Sequence, residues 1–249
     1  MRSCRDLRHG VLVSVFLLIA GRSQAQSGEG FLFAAPHGSV SIRGGFDRAI
    51  AGSDLFTFTT KQLTIDRGDF SAPTFQIDVD VAIVPRFDAR FSFGFARSTT
   101  NSEFRDYVDN NRMPIEQRTE FTRLPLTGSL KAYLVAPGRE VGHFAWIPSR
   151  YAPYVGAGGG ALWYRFQQQG DFIDFAAGNK VFSDLFDSEG WTPTAQVFVG
   201  TDISLSPRFA ATMEGRYQWA RTPLSLDFRQ FEPIDLSGFS VTAGISIRY

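Results

Sequence analysis

The chain is nearly free of the residues on which most catalytic and metal chemistry depends. Its 249 residues hold one cysteine, Cys4, three histidines, and lysine only at positions 61, 131 and 180. Cys4 falls inside an N-terminal stretch that reads as a cleaved signal, so the mature chain is expected to carry no disulfide and no thiol. Thiol catalysis, cysteine zinc sites and lipid anchoring through cysteine drop out. Long apolar runs are missing too. The longest, residues 11–20, is about half of the ~20 residues that a membrane-spanning helix requires. Arg2, Arg5 and Arg8 precede that run and Ser23-Gln24-Ala25 follows it, which is the order of a secretory signal over residues 1–25, cut before Gln26. Without Arg2, Arg5, Arg8, Arg22 and Asp6, the 25 basic and 25 acidic residues leave a net charge of −3, and no nucleic-acid partner is expected.

What the chain does have is Phe and Gly, 25 and 24 of them, in a composition that is 43% hydrophobic and 14% aromatic. The apolar residues are spread in alternation, which favours strands with tight turns over an apolar helical core. The last thirteen residues, SGFSVTAGISIRY, show it most clearly. Phe239, Val241, Ala243, Ile245, Ile247 and Tyr249 fall on one face, and Ser240, Thr242, Gly244, Ser246 and Arg248 on the other. A face of small and polar residues ending in Arg suits a wet or self-paired interior with lipid outside.

Seven earlier segments carry the same two-residue period: residues 39–46, 74–84, 87–96, 124–134, 153–166, 194–205 and 209–220. Together with the last they make eight. Short turns at Pro85-Arg86 and Ser206-Pro207 join even-numbered strands to odd-numbered ones, while long polar stretches join odd to even. Outer-membrane barrels have this asymmetry of short periplasmic turns and long external loops. The stretch from Val135 to Ala152, joining the fourth strand to the fifth, departs from it by being long. Threaded up and down, the strands bring Trp163, Trp191 and Trp219 to the outer level and Phe87, Phe209 and Tyr249 to the inner one, as two interfacial aromatic belts. A water-borne barrel of lipocalin type would turn each face around. Against it, the polar faces hold Ser, Thr, Gly, Gln and a few mixed charges, not the Lys and Glu of a soluble surface. The expected fold is all-β: an eight-stranded antiparallel up-and-down transmembrane β-barrel over residues 26–249.

In that fold Asp78, Asp80, Arg90, Lys131, Asp202, Glu214, Arg216 and Arg248 project inward, because Arg or Lys facing lipid at mid-bilayer costs ~2–4 kcal/mol. Eight strands leave room only for side chains, so these charges are expected to pair and fill the lumen as a structural plug. Glu214 and Arg216, two apart on one face, are expected to reach partners across strands. Gly156, Gly158, Gly159 and Gly160 lie within a strand pattern with no following helix or lysine, so they do not form a phosphate cradle. They are expected to make room for Arg216 or Lys131. His37 and His143 are the histidines beyond the signal. His37 shares a face with Ser39 at the inner end of the first strand, which reads as turn chemistry and not as a hydrolase site. No cluster of His and carboxylate suggests a metal, and neither cofactor nor enzymatic activity is expected. Arg105, Arg112 and Arg118 in the second long loop could meet lipopolysaccharide phosphates. The third loop alternates Asp171, Asp174, Asp184, Asp187 and Glu189 with Phe172, Phe175, Phe182 and Phe186, and its acids could bridge divalent cations.

With the signal, APYVGAGGGALWYRF at 152–166, TAQVFVGTDISLSPRFAATMEGRYQW at 194–219 and LSGFSVTAGISIRY at 236–249, the chain resembles the small outer-membrane β-barrel family. That family includes OmpW, OmpX and the transmembrane domain of outer membrane protein A. These motifs are architectural and name no ligand. The resemblance implies an outer-membrane location in a Gram-negative-type envelope, contact with lipid and lipopolysaccharide, and insertion by the barrel assembly machinery. That machinery would read the C-terminal strand, here ending on Tyr249 where Phe is commoner. A monomer is expected, and anchoring to the cell wall through a peptidoglycan-binding domain is not. Two functions stay open. One is a non-enzymatic barrel with an envelope-structural role or narrow, lateral, porin-like passage of a small solute, as OmpW-like members suggest. The other is a surface interaction protein acting through its external loops, as OmpX-like members imply.

Overall fold

A computed structural model describes residues 27–28, 30–108, 112–142, 145–174, 178 and 180–249. The signal of residues 1–25, His143 and Phe175 lie outside the described residues. Eight strands form one closed antiparallel ring: β1 Gly38–Ala49, β2 Ala72–Val84, β3 Phe87–Val108, β4 Pro114–Tyr133, β5 Tyr151–Asp174, β6 Lys180–Ser204, β7 Phe209–Trp219 and β8 Gly238–Arg248. Each strand pairs with its sequence neighbours. The ring closes where β8 meets β1, with Ile245 opposite Ile42 and Arg248 opposite Ser39. Closure leaves no sheet edge to satisfy, the condition for strands to cross lipid. Among the described residues no helix is long and apolar enough to span a membrane.

The faces divide by sign of polarity. Phe91, Val199, Ile245, Val241, Ile42 and Phe46 point outward and are exposed, while Asp78, Arg90, Lys131 and Glu214 point inward and are buried. Such an arrangement is stable only with lipid outside. Tight turns close the inner end, and Arg86 at φ 74 adopts the left-handed conformation that the two-residue turn between β2 and β3 requires. The long connection from β4 to β5 is not loose. Gly138–Glu140 and Trp146–Pro148 pair with each other, and Leu32 pairs with Trp146, so the N-terminal segment joins them in a small sheet at the inner end.

At the outer end the strands differ in height. β1, β7 and β8 stop near the Trp219 level, but β3 to β6 run on for 20 to 25 residues each as a curved palisade. The segments expected to be polar loops are therefore largely ladder: β3 and β4 stay paired to Val108 and Pro114, and β5 and β6 to Asp174 and Lys180. Beyond the level of Trp163 and Trp191 the alternation changes sense. Tyr164, Phe166 and Phe121 face inward and are buried, while Arg165, Glu120 and Asp187 face out.

The gap after β1 holds a helix, α1 Asp54–Gln62, followed by a 3-10 turn at Arg67–Phe70. Leu55, Phe56 and Thr59 form the helix's buried side, with Asp54 in its first turn and Lys61 in its last, as the helix dipole favours. Phe56 is wholly buried and its ring meets those of Phe70, Phe121 and Phe166 at 4.7, 5.6 and 5.8 Å. Phe228 packs on Phe166 from the β7–β8 connection at 5.6 Å. The Asp54 carboxylate accepts the Glu232 backbone N–H at 3.1 Å, tying α1 to that connection.

Candidate functional site

The interior is built in two layers. In the lower layer Glu214 on β7 takes three guanidinium groups at once. Its Oε2 lies 2.6 Å from Arg43 Nη1 and 2.5 Å from Arg90 Nη1, and its Oε1 lies 2.8 Å from Arg216 Nη2. The Tyr154 hydroxyl donates to the same carboxylate at 3.0 Å. Asp80 receives Arg90 through both Nε and Nη2, at 2.6 and 2.8 Å, and Lys131 Nζ at 3.1 Å. Lys131 continues to Asp202 at 2.9 Å, where Tyr133 also donates. Asp78 accepts Arg43 at 2.5 Å and Ser92 at 2.6 Å, with Arg216 at 3.4 Å.

Four cations thus face four carboxylates on one connected network that draws on six of the eight strands. Its side chains are almost wholly withdrawn from solvent, between 0 and 8% exposed. Charges so buried persist because each is paired, although Arg43 Nε finds no hydrogen-bond partner among the described residues. Ring faces complete the packing. The guanidiniums of Arg90 and Arg216 lie over the Phe198 ring at 5.0 and 5.5 Å, and Lys131 sits 4.1 Å from the Tyr154 ring centroid.

Seven of the eight charges singled out in the sequence meet in this network. Arg248 does not: its guanidinium lies at the inner rim over Trp146 at 5.6 Å, donating to Ser204 Oγ and the Pro207 carbonyl at 2.8 and 3.3 Å. Its position at the end of β8 sets it below the carboxylates. Arg43, which sequence reading passed over, takes a central place. Its signal was present, since it continues the polar face of Ser39 and Ser41. Glu214 and Arg216 contact each other as well as partners across the lumen. The glycines do not make room for Arg216 or Lys131 directly. A Cβ on Gly156 would strike the Phe198 ring, so glycine there admits the phenyl group on which Arg90 and Arg216 stack.

Above the network Arg123 pairs with Asp47 and lies over the Phe121 ring. The apolar layer of Leu55, Phe56, Leu63, Phe70, Phe121 and Phe166 then fills the mouth. Charged below and aromatic above, the lumen is closed at both levels.

Trp163 and Trp191 are direct ladder partners, and Trp219 pairs with Ala195. Phe87, Phe209 and Tyr249 lie at the inner ends of β3, β7 and β8, all exposed. The row immediately outside the Trp pair holds Arg97, Thr122, Arg165 and Glu189. Arg97 and Arg118 both pair with Glu120, and Arg165 pairs with Asp187 at 3.0 Å. Of the arginines named from the second loop, Arg105 donates to the Leu63 carbonyl and so braces the plug. The third-loop acids are strung along a hairpin, and no group of three metal-capable side chains occurs among the described residues. His37 is exposed at the inner end, whereas Ser39 is buried and donates to Asp80 at 3.4 Å.

On the concave side of the palisade a cleft of about 420 Å³ opens between α1, the β5–β6 hairpin and the 226–231 turn. Sequence reading placed Phe172, Phe182 and Phe186 in this region without their common orientation, which depends on the hairpin register: Phe182 pairs with Phe172, and Phe186 with Gln168.

No family model and no curated protein matches the chain. Among solved structures it is similar to Neisserial surface protein A, at 11% identity and TM-score 0.45 over 87% of this chain and 99% of that one. It is also similar to the outer membrane protein OprG from Pseudomonas aeruginosa, at 14% and 0.46 over 88% and 99%. Outer Membrane Protein W of E. coli gives 16% and 0.38 over 87% and 100%. The fold itself rests on the closed ladder, the lipid-compatible exterior and the charged interior. The chain is an eight-stranded antiparallel up-and-down transmembrane β-barrel, resembling the small outer-membrane barrels.

Proposed function

We propose that the protein is a non-enzymatic, non-conducting outer-membrane barrel that acts at the cell surface through its external palisade. The observation that carries this reading is the double closure of the lumen: a balanced, buried charge network below and a close-packed aromatic plug above. An eight-stranded ring has no residual bore once such side chains fill it. The sealed barrel would hold β3 to β6 in a rigid array outside the bilayer, where surface-exposed barrel proteins meet partners. In this reading the Arg97, Arg165 and Glu189 row faces the phosphate level of outer-leaflet lipopolysaccharide. Tyr249 would present the aromatic end of β8 to the assembly machinery. A lateral route for a small apolar solute finds support in the low wall at β7 and β8, where Ile50, Pro193 and Trp219 line a groove of about 630 Å³.

Planar-bilayer recording of refolded, heat-modifiable protein tests the choice. Silence is expected at voltages where open barrels conduct. Stepwise conductance that survives trimming of the β5–β6 hairpin would overturn the sealed reading in favour of passage.

A further inference from the structure

A cavity of about 440 Å³ lies at the inner end of the barrel, between the β2–β3 turn and the small sheet that caps the ring. We infer that it binds a short apolar peptide with free ends, whose carboxylate meets Arg248 and whose ammonium group meets Asp88. This goes beyond the surface role proposed above and does not rest on it, because the cavity opens below the charge network and its ligand need not cross the lumen.

The connection from Val135 to Ala152 is long where the other inner turns are short, and the cavity is what that length builds. Ala136, Pro137, Gly138, Glu140 and Trp146 of its lining all come from this segment. Pairing of Gly138–Glu140 with Trp146–Pro148 fixes the segment against the ring. Gly138 lets the Trp146 indole lie close on the backbone, since a Cβ there would strike the ring. Trp146, with Pro36, Ile83 and Pro137, gives the cavity an apolar wall suited to apolar side chains.

Two charges that the lumen network leaves out face this cavity. Arg248 is 9% exposed and donates only to neutral oxygens, Ser204 Oγ and the Pro207 carbonyl. Among the described residues no carboxylate lies within ion-pairing distance of it. A guanidinium so far withdrawn from water is costly without a counter-charge, and a ligand carboxylate supplies one. Asp88, half-buried on β3, has no cation within ion-pairing distance among the described residues either, because its ladder partner Lys131 is committed to Asp80 and Asp202. Arg86 and Glu140, the other charged residues of the lining, offset each other. A lone anion would face two carboxylates as well as two arginines, and a lone cation the converse, so the balance selects a zwitterion.

Spacing selects its length. Arg248 on β8 and Asp88 on β3 stand three strands apart round the ring, about 14 Å along the wall at about 4.8 Å per strand. The Arg248 guanidinium also turns toward Ser204 and Pro207, at the β6–β7 turn and away from β3. A free α-amino acid carries its charges on adjacent carbons and meets one of the two groups, whereas a peptide bond between the charges lets one ligand meet both.

The probe is L-leucyl-L-leucine, titrated calorimetrically into the full chain in lipid nanodiscs, with empty nanodiscs subtracted. Saturable binding is expected, weakened roughly tenfold or more when the peptide is N-acetylated or C-amidated, since each change removes one partner of a buried charge contact. Arg248→Gln that keeps heat-modifiable mobility should bind the dipeptide and its amide alike, and Asp88→Asn should bind the dipeptide and its N-acetyl form alike. If neither variant folds, the blocked peptides on the unaltered chain decide alone. Equal binding of the three peptides, or signal no greater than that of empty nanodiscs, overturns the assignment. So does a folded variant that discriminates among them as the parent does, or leucine that binds as tightly as the dipeptide.

Discussion

Replacing Glu214 by Gln should be the most damaging single change that conserves side-chain volume in the lumen. Among the described residues, Glu214 is the only carboxylate touching three guanidiniums, those of Arg43, Arg90 and Arg216. Its loss leaves four buried cations against Asp78, Asp80 and Asp202, with Arg90 and Arg43 each keeping one carboxylate. Removing one partner of a buried ion pair typically costs about 3–5 kcal/mol, because the other charge stays desolvated. With a denaturant slope of about 2 kcal/mol/M, the urea midpoint should fall by roughly 2 M. The assay is unfolding from lipid vesicles, followed by tryptophan fluorescence and by the heat-dependent gel shift. Adding Arg216→Gln restores the balance and should recover part of the loss, a coupling of about 1–3 kcal/mol in the cycle. A single variant within 0.5 kcal/mol of the parent, or a double variant as weak as the sum of the two, would refute the claim that charge balance holds the lumen together.

Two other changes probe the plug and the wall separately. Phe56→Ala should cost about 3–5 kcal/mol of local stability by opening a cavity among Phe70, Phe121 and Phe166. Proteases should then cut residues 50–71 while the gel shift of the barrel persists, and equal resistance would show that α1 is held by other means. Gly156→Leu should abolish the heat-modifiable form, because its Cβ meets the Phe198 ring and the Leu130 carbonyl, whereas Gly44→Ala, with nothing within 4 Å, should refold with normal yield. Equal yields of the two would remove the steric account of Gly156.

The eight strands and the direction of their faces were legible because lipid outside and paired charge inside impose opposite chemistry on alternate residues. Within the bilayer, strands such as β8 obey that rule from Phe239 to Ile247. Above Trp163 and Trp191 the chemistry of the faces inverts, Phe166 turning inward and Arg165 outward, and a reading tuned to apolar exteriors sees only a polar loop with stray Phe. The helix α1 escaped for another reason. Its nine residues DLFTFTTKQ carry three threonines of modest helix propensity, and the helix holds through tertiary packing of Leu55 and Phe56. The exchange between Gly156 and Phe198 depends on which positions face each other across β5 and β6, which no local pattern specifies.

The barrel requires that the apolar faces of the ring meet lipid and the charged faces meet each other. Without Cys4 the chain offers no competing thiol, so single cysteines can be placed and spin-labelled along β8 in folded, vesicle-embedded protein. Oxygen accessibility should rise and fall with a period of two, high at Val241, Ala243 and Ile245 and low at Ser240, Thr242 and Ser246 for both oxygen and a polar nickel chelate. High nickel accessibility at Val241 and Ile245, with oxygen confined to Thr242 and Ser246, would turn the barrel inside out and contradict it.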